Sequence, residues 1–207
     1  MIGRNTRFIL YGYPFRSRAE RVMWALEEYG FEYEMVRIDP TRGENRTESF
    51  LRMNPGGKIP VLLHEGRAYT ESVAIMEYPD SVSDHLKLIP TESRAYYQYR
   101  RVMHFGATEL EAYLWLSDQS GRLNSIYHWQ DGVGENAMQL VKNNLELVYD
   151  WLESSSLVCG ADFTLADIYY FHLMIWSKAN GVTLASSANN YLERLQDRAA
   201  IPEAFKT

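Results

Sequence analysis

Ile59-Pro60-Val61-Leu62-Leu63-His64-Glu65-Gly66-Arg67-Ala68-Tyr69-Thr70 is the stretch on which the fold turns. Two strand-like runs, 59–63 and 67–70, flank His64-Glu65-Gly66, so the segment reads as a β-hairpin with a glycine-containing turn. Proline inside such a run normally demotes it, because it cannot donate to a ladder. Pro60 therefore needs a specific reason to be there. One is a trans proline that opens an edge strand. The other is a cis Ile59-Pro60 bond that turns the Ile59 amide and carbonyl outward, free to pair with an extended peptide ligand by strand addition.

After the hairpin a helix is expected from Ser72 through Val73, Ile75 and Met76 to Tyr78, where Pro79 is expected to stop it. Upstream, Glu34-Met35-Val36-Arg37-Ile38 alternates as a strand, and Pro40 to Ser49 leaves room for a short irregular helix. Ala19, Val22, Met23, Leu26 and Tyr29 mark the apolar side of an amphipathic helix that runs from Ser17 to a stop at Gly30. Arg18, Glu20, Arg21, Glu27 and Glu28 are expected on its polar side. Before it, residues 7–12 form a continuous apolar run ending in glycine, as suits a strand covered on both faces. Strand, helix and strand within about thirty residues is the length of a βαβ unit, which implies parallel pairing.

From about residue 91 the pattern is helical: Tyr96 to Trp115, Glu135 to Leu152, Leu165 to Lys178 and Asn190 to Ala199. The fold class expected is therefore an α/β domain of order βαβ-ββα over 1–80, then an all-helical domain over 81–207. A formal charge of −6 is at odds with nucleic-acid or anionic-membrane partners, which select clustered Lys and Arg. The single cysteine, Cys159, allows no intrachain disulfide and suits a reducing, cytoplasmic setting. Phe8-Ile9-Leu10-Tyr11 is too short for a signal-peptide core or a membrane span, so neither is expected.

Two helix starts carry candidate chemistry. At Thr70-Glu71-Ser72 the unpaired amides and the Ser72 hydroxyl suit a carboxylate, and Glu71 suits an ammonium group, together a site for an α-amino-acid head. The plainer alternative is that Ser72 caps the helix and Glu71 is solvated. At the other start Ser17 either caps its helix or donates to a bound thiolate at the carboxyl end of the first strand.

Other signals are set aside. Gly132-Val133-Gly134-Glu135-Asn136-Ala137 has the letters of a dinucleotide fingerprint but lacks the required preceding strand. The five histidines show no metal-ligand spacing, so no metal is expected, and Cys159 has no CxxC partner. Tyr96, Tyr97, Tyr99, Phe105, Tyr113 and Trp115 fall at helical spacing and are expected mostly in the core.

Taken together, three segments make the chain resemble the cytosolic glutathione S-transferases over nearly its full length. They are Leu10 to Phe15 with Ser17-Arg18 leading into Trp24-Ala25-Leu26-Glu27-Glu28, then Asn54-Pro55-Gly56-Gly57-Lys58-Ile59-Pro60-Val61-Leu62, and Thr70-Glu71-Ser72 with Ile75 and Tyr78. In the helical half, Phe163-Thr164-Leu165-Ala166-Asp167-Ile168 is similar to the family's buried capping segment, with Thr164 and Asp167 capping reciprocally. The resemblance implies a thioredoxin-like N-terminal domain and glutathione as co-substrate. It implies a cis Pro60, Ile59 pairing with the cysteinyl backbone, Glu71 and Ser72 holding the γ-glutamyl end, and Lys58 helping with anionic groups. It puts Ser17 at the family's serine position for polarising the thiol, with Tyr11 as second candidate and Arg16 as an unranked neighbour. Tyr13 and Phe15, with helical-domain aromatics, would line the pocket for an apolar electrophile. A homodimer is also implied. The same site would serve conjugation, isomerisation, dehalogenation or ether cleavage, and a non-catalytic binding module is the alternative from another class. Pro79, and the sequence Arg198-Ala199-Ala200-Ile201-Pro202 near the end, depart from the family's pattern.

Overall fold

The computed structural model describes residues 8–205. The chain divides into two compact units, one running through Leu88 and resumed from Gln196 onward, the other Ile89–Leu195.

The first unit is built on a four-stranded sheet of β1 (Phe8–Gly12), β2 (Tyr33–Arg37), β3 (Val61–His64) and β4 (Arg67–Tyr69). Its spatial order is β2-β1-β3-β4. β1 pairs parallel with β2, and β3 pairs antiparallel with both β1 and β4. This is the thioredoxin-like arrangement. Arg7, assigned to the first strand from sequence, lies outside the described residues. Along β1, Phe8, Leu10 and Gly12 are buried, while Ile9 and Tyr11 are only half-buried, so this strand is less evenly covered than its continuous apolar run suggests. His64 pairs with Arg67, which leaves Glu65-Gly66 as a two-residue turn with both φ positive, at 51° and 74°. That conformation matches the right-handed twist of the strands it joins.

Among its described residues this unit also holds the helices α1 (Ala19–Glu28), the six-residue α2 (Glu48–Met53) and α3 (Ser72–Val82), with short 3-10 turns at Pro40–Arg42, Glu44–Arg46 and Glu203–Phe205. Two features of α1 differ from the sequence expectation. It starts at Ala19 rather than Ser17, and Glu20 and Arg21 are buried rather than solvated. The reason is that both find polar partners within the fold, as described below. α3 also runs past Pro79 to Val82. Proline there forfeits one helical hydrogen bond, and the next residue anchors the turn. The Asp80 carboxylate accepts from the Tyr29 hydroxyl and from the Leu88 amide, each at 2.7 Å. β3 begins at Val61, after the proline rather than before it.

The C-terminal segment returns to α1. Arg198 grips the Glu28 carboxylate with two hydrogen bonds of 2.6 and 2.8 Å, and the Trp24 indole donates to the same carboxylate at 2.9 Å. The Phe205 ring lies 5.7 Å from Trp24.

The second unit contains α4 (Ser93–Phe105), a π-helical stretch (Gly106–Glu111), α5 (Ala112–Ser120), the short α6 (Asn124–Tyr127), α7 (Val133–Ser154), α8 (Leu165–Ala179) and α9 (Ser186–Gln196). The expected helix 96–115 is thus broken by wider winding, and the last helix lies earlier than Asn190 to Ala199. Helix α8 is buried continuously from Leu165 to Met174, which makes it the core of this unit. Gly106 permits close packing on it, because a Cβ there would lie 2.8 Å from the Tyr169 ring. The Tyr169 hydroxyl donates to the buried Glu111 at 2.6 Å. Thr164 and Asp167 form the reciprocal capping box at the start of α8, with Asp167 also accepting from the Val158 amide and the Tyr191 hydroxyl, each at 3.1 Å. Of the six aromatics expected mostly in the core, Tyr99 is buried, Phe105, Tyr113 and Trp115 are half-buried, and Tyr96 and Tyr97 are exposed.

Candidate active site

β1 ends at Gly12, and the absence of a side chain there brings two segments together. A Cβ on Gly12 would lie 2.7 Å from the Ala19 Cβ and 3.7 Å from the Pro60 Cβ. The start of α1 and the Ile59-Pro60 segment therefore close over the end of the first strand, the position at which open α/β sheets receive ligands.

The loop from Tyr13 to Arg18 carries Ser17, whose hydroxyl is the group expected to polarise a bound thiol. The Ser17 hydroxyl donates to the Tyr13 carbonyl and accepts from the Ala19 amide at 3.1 Å. Arg16 holds a positive φ of 49°, uncommon for a residue with a side chain. Its amide donates to the Glu20 carboxylate at 2.6 Å, and the Ser17 amide donates to the same carboxyl. Burial pushes the Glu20 carboxyl up to about 7, against the pull of these two amides and of the Arg16 charge. Ser17-Arg18-Ala19-Glu20 has the letters of a capping box. The carboxylate half is realised, whereas the serine reaches Ala19 rather than the Glu20 amide. Glu20 was not singled out from sequence, although this spacing was the signal that could have found it.

The second segment is braced from below. Asn54 donates to the Lys58 carbonyl at 2.8 Å and accepts from the Gly56 amide at 3.1 Å, while Asn45 donates to the Gly57 carbonyl at 2.8 Å. The Ile59-Pro60 bond is cis, as the resemblance implied. Pro60 is buried, Lys58 is exposed, and Ile59 is half-buried ahead of the ladder, which begins at the Tyr11–Val61 pair. The third segment opens α3. Glu71, exposed, is the residue before the helix and sits at φ 64°, ψ 103°, with no capping bond from its side chain. Ser72 is the first helical residue, buried, and accepts from the Arg21 guanidinium at 2.5 Å. Its hydroxyl proton is left to donate elsewhere, and it is not the cap.

Around these segments, Tyr11 lies half-buried in β1, and the Arg37 guanidinium donates to the Tyr13 hydroxyl at 2.9 Å while covering the Tyr13 ring at 4.7 Å. Phe15 is 58% exposed and meets Tyr13 edge-on at 6.5 Å. Ser17, Ile59, Pro60 and Ser72 are thus linked into one neighbourhood through Gly12, Ala19 and Arg21. In the second unit, burial pushes the Cys159 thiol up to about 12, which removes it as a nucleophile. Among the described residues no group of three or more His, Cys, Asp or Glu is placed to hold a metal ion, and no helix is long and apolar enough to cross a membrane.

Residues 6–81 match the glutathione S-transferase N-terminal domain. Glutathione S-transferase GstA of Escherichia coli O157:H7 is 29% identical over 189 residues, which cover 87% of this chain and 89% of that protein. Protein LigF of Sphingobium sp. strain SYK-6 is 36% identical over 73 residues, 35% of this chain but only 28% of LigF. The crystal structure of a glutathione transferase homologue from sulfitobacter, with bound glutathione, has the same fold, with a TM-score of 0.81 at 24% identity over 94% of this chain and 95% of that one. The N-terminal part of the chain thus carries a glutathione S-transferase N-terminal domain, and the chain as a whole is similar to glutathione S-transferases in sequence and fold.

Proposed function

We propose that this protein is a glutathione transferase in which Ser17 steadies the thiolate of glutathione for attack on an apolar electrophile. The observation that carries the reading is the approach of Ala19 and Pro60 across Gly12, since it sets a hydroxyl-bearing loop beside a backbone edge suited to a peptide. Glutathione lies with its cysteinyl backbone along Ile59, its γ-glutamyl head at Glu71 and Ser72, and its anionic groups near Lys58. The exposed Glu71 carboxylate meets the ammonium, and Ser72 with the first amides of α3 meets the carboxylate.

A free thiol with a pKa of about 8.5 is only a few per cent ionised at neutral pH, and each unit of depression takes about 1.4 kcal/mol. A charge-assisted hydrogen bond from Ser17 supplies about that much or twice it. On binding, the hydroxyl turns from the Tyr13 carbonyl toward the sulfur, and the Ala19 amide continues to hold its oxygen. The thiolate then forms a C–S bond with the electrophile as the leaving group departs with its electron pair. Tyr13 and Phe15 offer apolar surface to that substrate. We take the working form to be a cytoplasmic homodimer.

Binding to immobilised glutathione and conjugation of a generic aryl halide test this reading, with Ser17→Ala and Tyr11→Phe beside the wild type. Loss of turnover in Ser17→Ala with retained binding is expected. Loss only in Tyr11→Phe would move the role to Tyr11, and binding without any turnover would favour a scaffold. Ether cleavage is the second reading, favoured by the LigF match, because the solved LigF is called a beta-etherase. Turnover of an aryl ether exceeding that of the aryl halide would select it.

A further inference from the structure

Glu20 is the residue beside Ser17 that the reaction described above does not use. It is 5% exposed, on a helix whose other buried positions are apolar apart from Arg21. Burying a carboxyl is costly unless its oxygens are satisfied. Here they are satisfied by the two successive amides of the loop that carries Ser17. The same bonds hold Arg16 at a φ that a side chain disfavours. They also occupy two loop amides just before α1 that would otherwise be open to an anion.

We propose that Glu20 is a positioning residue, whose carboxylate clamps the Arg16 and Ser17 amides and so fixes where the Ser17 hydroxyl stands. This rests on the reading of Ser17 as the thiolate donor. The clamp acts through geometry and not through charge, because an ionised carboxylate near a thiolate is a like charge and by itself opposes thiolate formation. The charged groups close to it in sequence are Arg16 and Arg18 in the loop and Arg21 on α1. Of these, Arg16 is the one whose field lowers the carboxyl.

The test is a double-mutant cycle with the aryl halide, comparing wild type, Glu20→Gln, Ser17→Ala and the double variant, with glutathione affinity and thiolate ultraviolet absorbance measured in parallel. Glutamine keeps the shape but offers one acceptor and no charge. The expected result is a kcat about tenfold lower in Glu20→Gln, with glutathione affinity within about threefold, and less than about twofold further loss when Ser17 is already alanine. The thiolate absorbance at a given pH should fall, though by less than in Ser17→Ala, because the like charge of Glu20 is removed with the clamp. An unchanged kcat, the same fold loss in both backgrounds, or affinity and rate falling together would overturn the proposal. Where Glu20→Gln fails to fold, Glu20→Asp replaces it. That carboxylate keeps the charge but is one methylene short of the two amides, so kcat should still fall, and an unaltered kcat would overturn the clamp. If Ser17→Ala retains wild-type turnover, the reading of Ser17 itself fails. A damaged Ser17→Ala beside a silent Glu20→Gln removes only the role of Glu20.

Discussion

The Arg21 guanidinium donates to the Ser72 hydroxyl at 2.5 Å, so α1 and α3 are tied together at the residue that opens α3. A hydrogen bond from a charged group to a buried hydroxyl contributes about 1.5–3 kcal/mol. Arg21→Met keeps the apolar stem and removes the donor. We expect it to lower the urea midpoint by a corresponding amount and to weaken glutathione binding several-fold, as Ser72 loses the partner that orients it. A variant with wild-type midpoint and affinity would show that the bond holds nothing.

Gly12→Ala tests the closure of the site. Its Cβ would meet the Ala19 Cβ at 2.7 Å, so α1 or β1 must move. Overpacking of this kind costs about 1–3 kcal/mol. Because the movement separates the Ser17 loop from Pro60, kcat/KM for conjugation should fall by more than stability alone explains. Gly30→Ala is the control, with φ +65° and nothing within 4 Å of the added methyl. It should cost about 1 kcal/mol through backbone strain, with kcat/KM unchanged. Equal effects of the two variants on activity would remove the argument from space.

The order of strands and helices in the first unit was legible because each element carries its own local period and its own stop. The hairpin at Glu65-Gly66 and the reciprocal cap at Thr164 and Asp167 were legible for the same reason. What periodicity cannot say is which polar residues on a helix find partners. Glu20 and Arg21 look solvated by spacing, yet one is satisfied by the loop just before it and the other by Ser72, 51 residues away. Pro79 reads as a stop until Tyr29 and Leu88 are seen to hold Asp80. The departure at Arg198 gave no hint of its partner, because Glu28 lies 170 residues upstream.

That pair supplies another prediction. The Glu28 side chain is 8% exposed and that of Arg198 33%, so the bidentate bridge is largely shielded from water. Breaking a shielded pair from one side leaves a carboxylate short of its partner, and Arg198→Ala should cost about 2 kcal/mol in thermal or urea unfolding. Glu28→Gln combined with Arg198→Ala should cost less than the sum of the single changes. Strict additivity would mean that the bridge does not hold the C-terminal segment to α1.

Two buried carboxyls give the stability a pH dependence whose sign can be worked out. Burial raises Glu20 from 4.5 to about 7 and Asp167 from 3.8 to about 6. A carboxyl whose value is raised by folding is bound more tightly to its proton in the native state. Its contribution is therefore complete below the unfolded value and is lost as pH rises through the folded value. At about 1.4 kcal/mol per unit the loss is at most about 3.5 kcal/mol for Glu20 and about 3 kcal/mol for Asp167. Asp167 should give way first, between about pH 4 and 6, and Glu20 between about pH 5 and 7. The measurement is the unfolding free energy of wild type minus that of Glu20→Gln at intervals from acid to neutral pH, which cancels the titration of every other group. That difference should decline as pH rises and level off above about pH 7. A difference that is flat, or that grows with pH, would mean the carboxylate is stabilised by its two amides more than it is penalised by burial.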